Sequence, residues 1–130
     1  MNYYTSTLLR SQSIEAAREK VMNALQNEGF GVLTEIDIQA TMKKKLNKDY
    51  LPHIILGACN PVMADKVLQL EPNISTMLPC NVTLRQLENG DIEVSAIDPV
   101  AAMSAVRNDR VAPVAAEVRE KLNRVLQQLS

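Results

Sequence analysis

The chain has 130 residues, of which 46% are hydrophobic and 22% are charged, and its net charge is −1. This length and composition predict one folded domain over residues 1–130 and exclude a disordered chain. The charge balance argues against nucleic acid as a main partner, and no apolar run approaches the roughly 18 residues that a membrane-spanning helix needs.

The N-terminal part of the chain predicts a strand followed by a helix. Residues 3–9 are β-prone, and apolar residues at helical spacing predict a helix over about residues 14–27. Ser11 or Ser13 can cap this helix, because a hydroxyl oxygen accepts from the free N–H groups of the first turn. Gly29 is expected to end it, since glycine adopts positive φ freely.

Residues 30–37 predict a second strand. Strict alternation assigns Phe30, Val32 and Ile36 to one face of this strand and Glu35 to the other. Asp37 can then cap a short helix that contains three consecutive lysines. We interpret those lysines as a solvated helix face rather than a binding patch.

The most apolar run of the chain, residues 51–58, predicts a strand buried on both faces. Gly57 within it permits the close approach of another chain segment. Asn60 is a good N-cap and Pro61 a good first helical residue, because the missing N–H of proline would be unpaired there anyway. A helix is therefore predicted from Pro61 to about Leu70.

Residues 80–88 alternate between apolar and polar side chains, and residues 92–97 repeat this pattern. Asn89 and Gly90 between them predict a tight hairpin. A helical turn is expected after the strands, followed by an amphipathic helix that ends near Leu129. This order of elements predicts an α+β fold: a two-layer α/β sandwich with a largely antiparallel sheet and helices on one face.

Both cysteines fall in similar motifs, each followed by asparagine, at the ends of predicted elements. The wide separation of Cys59 and Cys80 fits neither a C-x-x-C redox motif nor a zinc finger. Cys59 precedes a helix N-terminus, which favours a reactive thiol, and the two cysteines could lie side by side on adjacent strands. The chain begins without a secretory signal, so we expect a cytoplasmic protein with reduced thiols.

Three interpretations of the cysteines stay open: buried core residues, a reactive or redox dithiol, or ligands of a soft metal or cofactor of unknown identity. The asparagines either shape the backbone at tight junctions or present an amide to a ligand, and the one histidine is either structural or a base or ligand. The candidate ligand or redox residues are Cys59, Asn60, Cys80, Asn81 and His53, of which Cys59 and Cys80 would hold a metal. The structural residues of the motifs are Gly57, Pro61 and Pro79.

Two segments, residues 56–61 and residues 78–82, together resemble the paired signature of the domain of unknown function family 302. The segment leading into the first motif and the hairpin after the second extend this resemblance over essentially the whole chain. The resemblance implies a compact two-layer α/β fold with an antiparallel sheet, a dimer, and no established activity. The positions that match the family's motif are Cys59, Asn60, Pro61, Pro79, Cys80 and Asn81.

The leading functional hypothesis is a small cytoplasmic homodimer with a site centred on Cys59 and Cys80. Its chemistry would be thiol redox, sulfur handling, or binding of a soft metal or small ligand. The alternative is a homodimeric structural or interaction module with buried, non-catalytic cysteines. An enzyme is a third hypothesis, which requires a concave pocket lined by Cys59, His53 and Asn81. Neither nucleic acid nor a membrane is an expected partner.

Overall fold

An antiparallel sheet is the framework of the protein, which this computed structural model describes over residues 2–129. The strands are β1 (Tyr4–Leu9), β2 (Gly31–Asp37), β3 (His53–Cys59), β4 (Cys80–Gln86) and β5 (Ile92–Ile97). They lie in the order β1-β5-β4-β3-β2, and every neighbouring pair is antiparallel. The helices are α1 (Ile14–Asn27), α2 (Ile38–Leu46), α3 (Pro61–Leu70), α4 (Pro99–Ala102) and α5 (Val111–Leu129), with a 3-10 helix at Pro72–Met77.

The main hydrophobic core lies between the sheet and the long helices α1 and α5. Val82 and Leu84 of β4 are fully buried, and they pack in one cluster with Val21 of α1 and Leu122 of α5. Burial of this apolar surface is the main force that holds the two layers together. The predicted α+β class, with an antiparallel sheet and helices, is confirmed.

The opposite face of the sheet carries the alternate residues of each strand. On β4 these are Asn81, Thr83 and Arg85, none of which is buried. We call this side the open face. Side chains on the open face are accessible to a ligand or partner, whereas those on the helical side pack in the core.

A β-bulge at Leu33 changes the faces of β2. The pairing of β2 with β3 shifts between Val32 and Thr34, so Leu33 is an extra residue in the ladder. Ile36 consequently lies opposite Ile55 and is 45% exposed. The prediction that Val32 and Ile36 share a face was therefore wrong.

The bulge also gives Glu35 a partner on the helical side of the sheet. Arg18 of α1 donates from Nε to Glu35 Oε2 at 2.9 Å and contacts the second carboxylate oxygen as well. This bidentate bond lowers the pKa of Glu35.

Strand β3, which lies between β4 and β2, contains no exposed residue. Leu56 and Ala58 are buried against the helices, whereas Ile55 on the open face is half-buried. The strand begins at His53, because Pro52 has no N–H for the ladder. The predicted burial on both faces is therefore found at Gly57, which is buried on the open face, but it is incomplete at Ile55.

Capping side chains begin the helices as the sequence predicts. Ser13, Asp37 and Asn60 each accept a hydrogen bond from a first-turn N–H, of α1, α2 and α3 respectively. Gly29 has a φ of 84°, in the left-handed region, and lies just beyond the end of α1. These local devices set the positions at which the chain changes direction.

Asp98 fixes the short helix α4 to the rest of the protein. Its carboxylate accepts from the N–H groups of Val100 and Ala101 at 2.9 and 3.4 Å, and from Arg119 of α5 in two bonds of 3.1 Å. Burial alone would raise the pKa of Asp98, but these donors outweigh it and the pKa lies below its ordinary value of 3.8.

Asp98→Asn is expected to lower the free energy of unfolding at pH 7 by about 1–2 kcal/mol, because it weakens the cap and the bond to Arg119. The folded pKa is depressed, so this stabilisation is present above pH 3.8 and is lost as the pH falls below it. Urea unfolding at pH 7 and pH 3 measures the difference. The exposed Asp65→Asn is the matched control, and an equal loss at both pH values would contradict the prediction.

Candidate functional site

The two Cys-Asn motifs meet at one end of the sheet. Cys59 is the last residue of β3 and Cys80 the first of β4, and these strands are neighbours. Asn60 and Pro61 begin α3 directly after β3. The predicted proximity of the motifs is thus a result of strand pairing.

The two cysteines do not form a cross-strand pair. Cys80 lies opposite Ala58, so it points to the buried, helical side of the sheet. Alternation along β3 gives Cys59, the next residue, the opposite direction. Both are free thiols. The expectation that they lie side by side was wrong, because the pairing of the strands is offset by one residue.

Burial governs the chemistry of Cys80. Removal from water, with a smaller contribution from charge on Cys59, raises the pKa of the Cys80 thiol from 9.0 to about 11. The thiol is therefore protonated at neutral pH. This state disfavours nucleophilic attack, which requires the thiolate.

A small cavity lies beneath the motifs, on the helical side of the sheet. Its volume is about 30 Å³, enough for one or two water molecules. Side chains of the core surround it, including Phe30, Met63 and Met103, and it is bordered by Cys59 and Asn60 of the first motif and by Pro79 and Cys80 of the second. The structure thus brings four of the predicted residues around one apolar space.

A larger groove of about 370 Å³ opens to the surface on the other side of the second motif. It runs between the 3-10 helix and α4, and its lining includes Thr76, Asn81 and Ala102. The cavity and the groove share the residues Leu78, Pro79, Cys80, Pro99 and Met103. The segment 78–80, with a cis peptide bond between Leu78 and Pro79, is therefore the wall between them.

No sequence pattern indicated that α4 belongs to this site. Pro99 and Met103 come from a segment that was predicted only as a helical turn. They reach the motif because β5 runs beside β4, so the chain leaves Ile97 next to the start of β4. Asp98, as a potential N-cap, was the available signal. It indicated that a helical turn begins there, but not which part of the chain this turn contacts.

The twin asparagines have different surroundings. Asn60 is buried, accepts from the N–H of Met63 at 3.3 Å and donates to the carbonyl of Glu28 at 3.3 Å. Its amide thus joins the start of α3 to the end of α1. Asn81 is exposed, and in the part of the chain that the structure describes its side chain makes no hydrogen bond.

His53 lies far from the motifs. It pairs with Arg85, whereas Asn81 pairs with Gly57, so four strand residues, about 13 Å, separate His53 from the row of Asn81. Burial and the charge of Arg85 lower the pKa of His53. The structure therefore does not bring Cys59, His53 and Asn81 into one pocket, as the enzyme hypothesis required.

Gly57 allows the second motif to pack closely against strand β3. A Cβ atom there would clash with the Thr34 side chain and would lie 2.8 Å from Pro79 Cγ. The absence of a side chain lets Pro79 pack over β3, as the sequence predicts for a close approach. Pro79 in turn holds the wall segment against the sheet.

Within residues 2–129, no three His, Cys, Asp or Glu side chains are grouped as they would be around a metal ion. None of the helices in that range combines the length and the apolar character that a bilayer crossing requires.

The fold and the groove define a small α+β protein with a ligand-sized concavity beside its paired Cys-Asn motifs. The chain belongs to the family described as Domain of unknown function DUF302, which it matches over residues 5–129. A crystal structure of an uncharacterized conserved DUF302 protein from Bacillus stearothermophilus is similar, with a TM-score of 0.89, 25% identity and 98% coverage of both chains. No curated protein matches the chain.

Proposed function

We propose that this protein binds a small, partly apolar molecule in the groove beside the second Cys-Asn motif. The observation that carries the proposal is the arrangement of the motif, which separates a 370 Å³ surface groove from a buried apolar cavity. A groove of this size lies within the range of small-molecule sites, which are mostly apolar with a few polar groups. Cys80 and Asn81 are then wall residues of a binding site.

Burial of Cys80 supports binding over thiol chemistry. Thiol redox, sulfur handling and soft-metal coordination each need a thiolate or two converging sulfurs. A thiol with a pKa of about 11, beside a second cysteine that points the other way, favours an apolar contact surface. The proposal keeps the predicted cytoplasmic location, for which both free thiols are suited.

Filling the groove tests this function. Ala102 is exposed and lines the groove, so Ala102→Phe should occupy the space that the ligand needs. The probe is the uncharged dye N-phenyl-1-naphthylamine, whose fluorescence rises in apolar sites. We expect saturable binding to the native protein and at least tenfold weaker binding to Ala102→Phe.

Ala105→Phe is the matched control, because Ala105 is equally exposed in the following loop but does not line the groove. It should bind the dye as the native protein does. Dye binding that is absent from the native protein, or equal in the two variants, would overturn the proposed function.

A second candidate function, a homodimeric interaction module, is favoured by the open face. Three large side chains of this face are substantially exposed: Tyr4 at 38%, Leu8 at 42% and Ile36 at 45%. A second copy packed there would bury them. Sedimentation analysis tests this candidate: Leu8→Lys with Ile36→Lys should convert a dimer to a monomer, and a native protein that is already monomeric excludes it.

A further inference from the structure

A second concavity, of about 340 Å³, lies on the open face and adjoins the groove. Asn81 and Ile97 line both spaces, so the groove continues onto the open face past these two residues. Tyr3 and Tyr4 form its rim, with ring centroids 4.9 Å apart. Neither Tyr4 nor the open-face side of β5 entered the predicted site.

The floor of this concavity is polar and follows the strand register. Thr83 lies opposite Ser95, and one step further along the face Arg85 lies opposite Glu93. Together with the unbonded amide of Asn81, these side chains offer donors and acceptors over about 13 Å of β4. The groove end, in contrast, is formed mainly by Leu78, Pro79, Met103 and their neighbours.

The two spaces present no uncompensated charge. Among residues 2–129, the only charged ones that line the concavity are Arg85 and Glu93, whose side chains form an ion pair of 2.8 Å. No charged residue in that range lines the groove. An ionic ligand would therefore lose hydration without gaining a free counter-charge, which is unfavourable.

We propose that the groove and the open-face concavity form one continuous site, and that its ligand is an elongated uncharged molecule. The apolar end of the ligand lies in the groove, and its hydrogen-bonding end lies across Asn81 on the polar floor between Thr83 and Ser95. This inference rests on the proposed function, since it assigns a ligand class and a second compartment to that groove. The ion pair of Arg85 and Glu93 leaves no free positive charge for an anion at the far end.

Two dyes that differ by one sulfonate test the inference: N-phenyl-1-naphthylamine and 8-anilino-1-naphthalenesulfonate. We expect the native protein to bind the uncharged dye at least tenfold more tightly than the sulfonate. Glu93→Gln frees the charge of Arg85, so it should tighten sulfonate binding at least tenfold. The exposed Glu88→Gln, with the same change of net charge, should leave both affinities unchanged.

The outcomes separate this inference from the proposed function. If the sulfonate binds as tightly as the uncharged dye, or Glu93→Gln acts no differently from Glu88→Gln, the continuous uncharged site is wrong. The groove would stand in that case, provided that Ala102→Phe still weakens dye binding. If neither dye binds the native protein, the proposed function itself fails. A homodimer on the open face would cover the concavity and abolish the effect of Glu93→Gln.

Discussion

The thiol of Cys80 is expected to react with iodoacetamide at least 100-fold more slowly in the folded protein than in the unfolded chain. Its pKa is raised from 9.0 to about 11, and each unit lowers the thiolate fraction tenfold at pH 8. Restricted access to the buried sulfur slows the reaction further. The Cys59→Ser variant leaves Cys80 as the single thiol, so mass spectrometry can follow its alkylation directly.

The same variant in concentrated urea provides the reference rate for an exposed thiol. A folded-state rate within tenfold of that reference would show an activated or accessible Cys80. Such a result would restore the redox interpretation of the motif and weaken the assignment of Cys80 to the wall of a binding site.

Gly57→Ala is expected to lower the free energy of unfolding by about 1–3 kcal/mol, as overpacking does in well-packed regions. The added methyl would meet the Thr34 side chain and lie 2.8 Å from Pro79 Cγ. Thr34 can rotate away, but the ring of Pro79 belongs to the wall segment and must shift with it. Urea unfolding measures this loss. Gly57→Ala should also bind N-phenyl-1-naphthylamine more weakly than the native protein does.

Gly31→Ala is the matched control, because a Cβ at Gly31 meets nothing within 4 Å and the residue lies in the neighbouring strand. It should be neutral or slightly stabilising, since alanine restricts the unfolded chain. Thr34→Ala combined with Gly57→Ala should recover part of the loss and leave the contribution of Pro79. An equal loss in both single glycine variants would refute the role of the close approach.

Element positions could be predicted from the sequence because their causes are local. The helix α3 begins at Pro61 after the cap Asn60, and the hairpin turns at Gly90, which has a φ of 92°. Each depends on residues within one turn of the chain. The α+β class then follows from the order of elements.

Pairing between strands could not be predicted in the same way. The bulge at Leu33 depends on how β2 meets β3, and one extra residue reverses every later side chain of β2. The offset that places Cys80 opposite Ala58, instead of Cys59, has the same origin. The prediction of cysteine chemistry relied on the expected closeness of the two cysteines. Strand register, however, decides which side of the sheet each sulfur faces.

The groove was harder still to predict, because its walls come from distant parts of the chain. The second motif lines the groove, but Met103 and Ala102 join it only through the β4–β5 pairing. The cap bond of Asn60 could be predicted from the proline that follows it, but its second bond, to the carbonyl of Glu28 at the end of α1, could not, because only the tertiary structure brings that group to Asn60.

The extra residue at Leu33 also bears on how this chain should be aligned with others of the same fold. A chain that lacks one residue here could pair with β3 in the same register without a bulge, so the positions of Glu35 and Ile36 would keep their faces. The partner of Arg18 would then be retained. A one-residue gap placed at Leu33 therefore preserves the arginine–glutamate pair in an alignment, whereas a gap placed further along β2 would shift Glu35 to the other face.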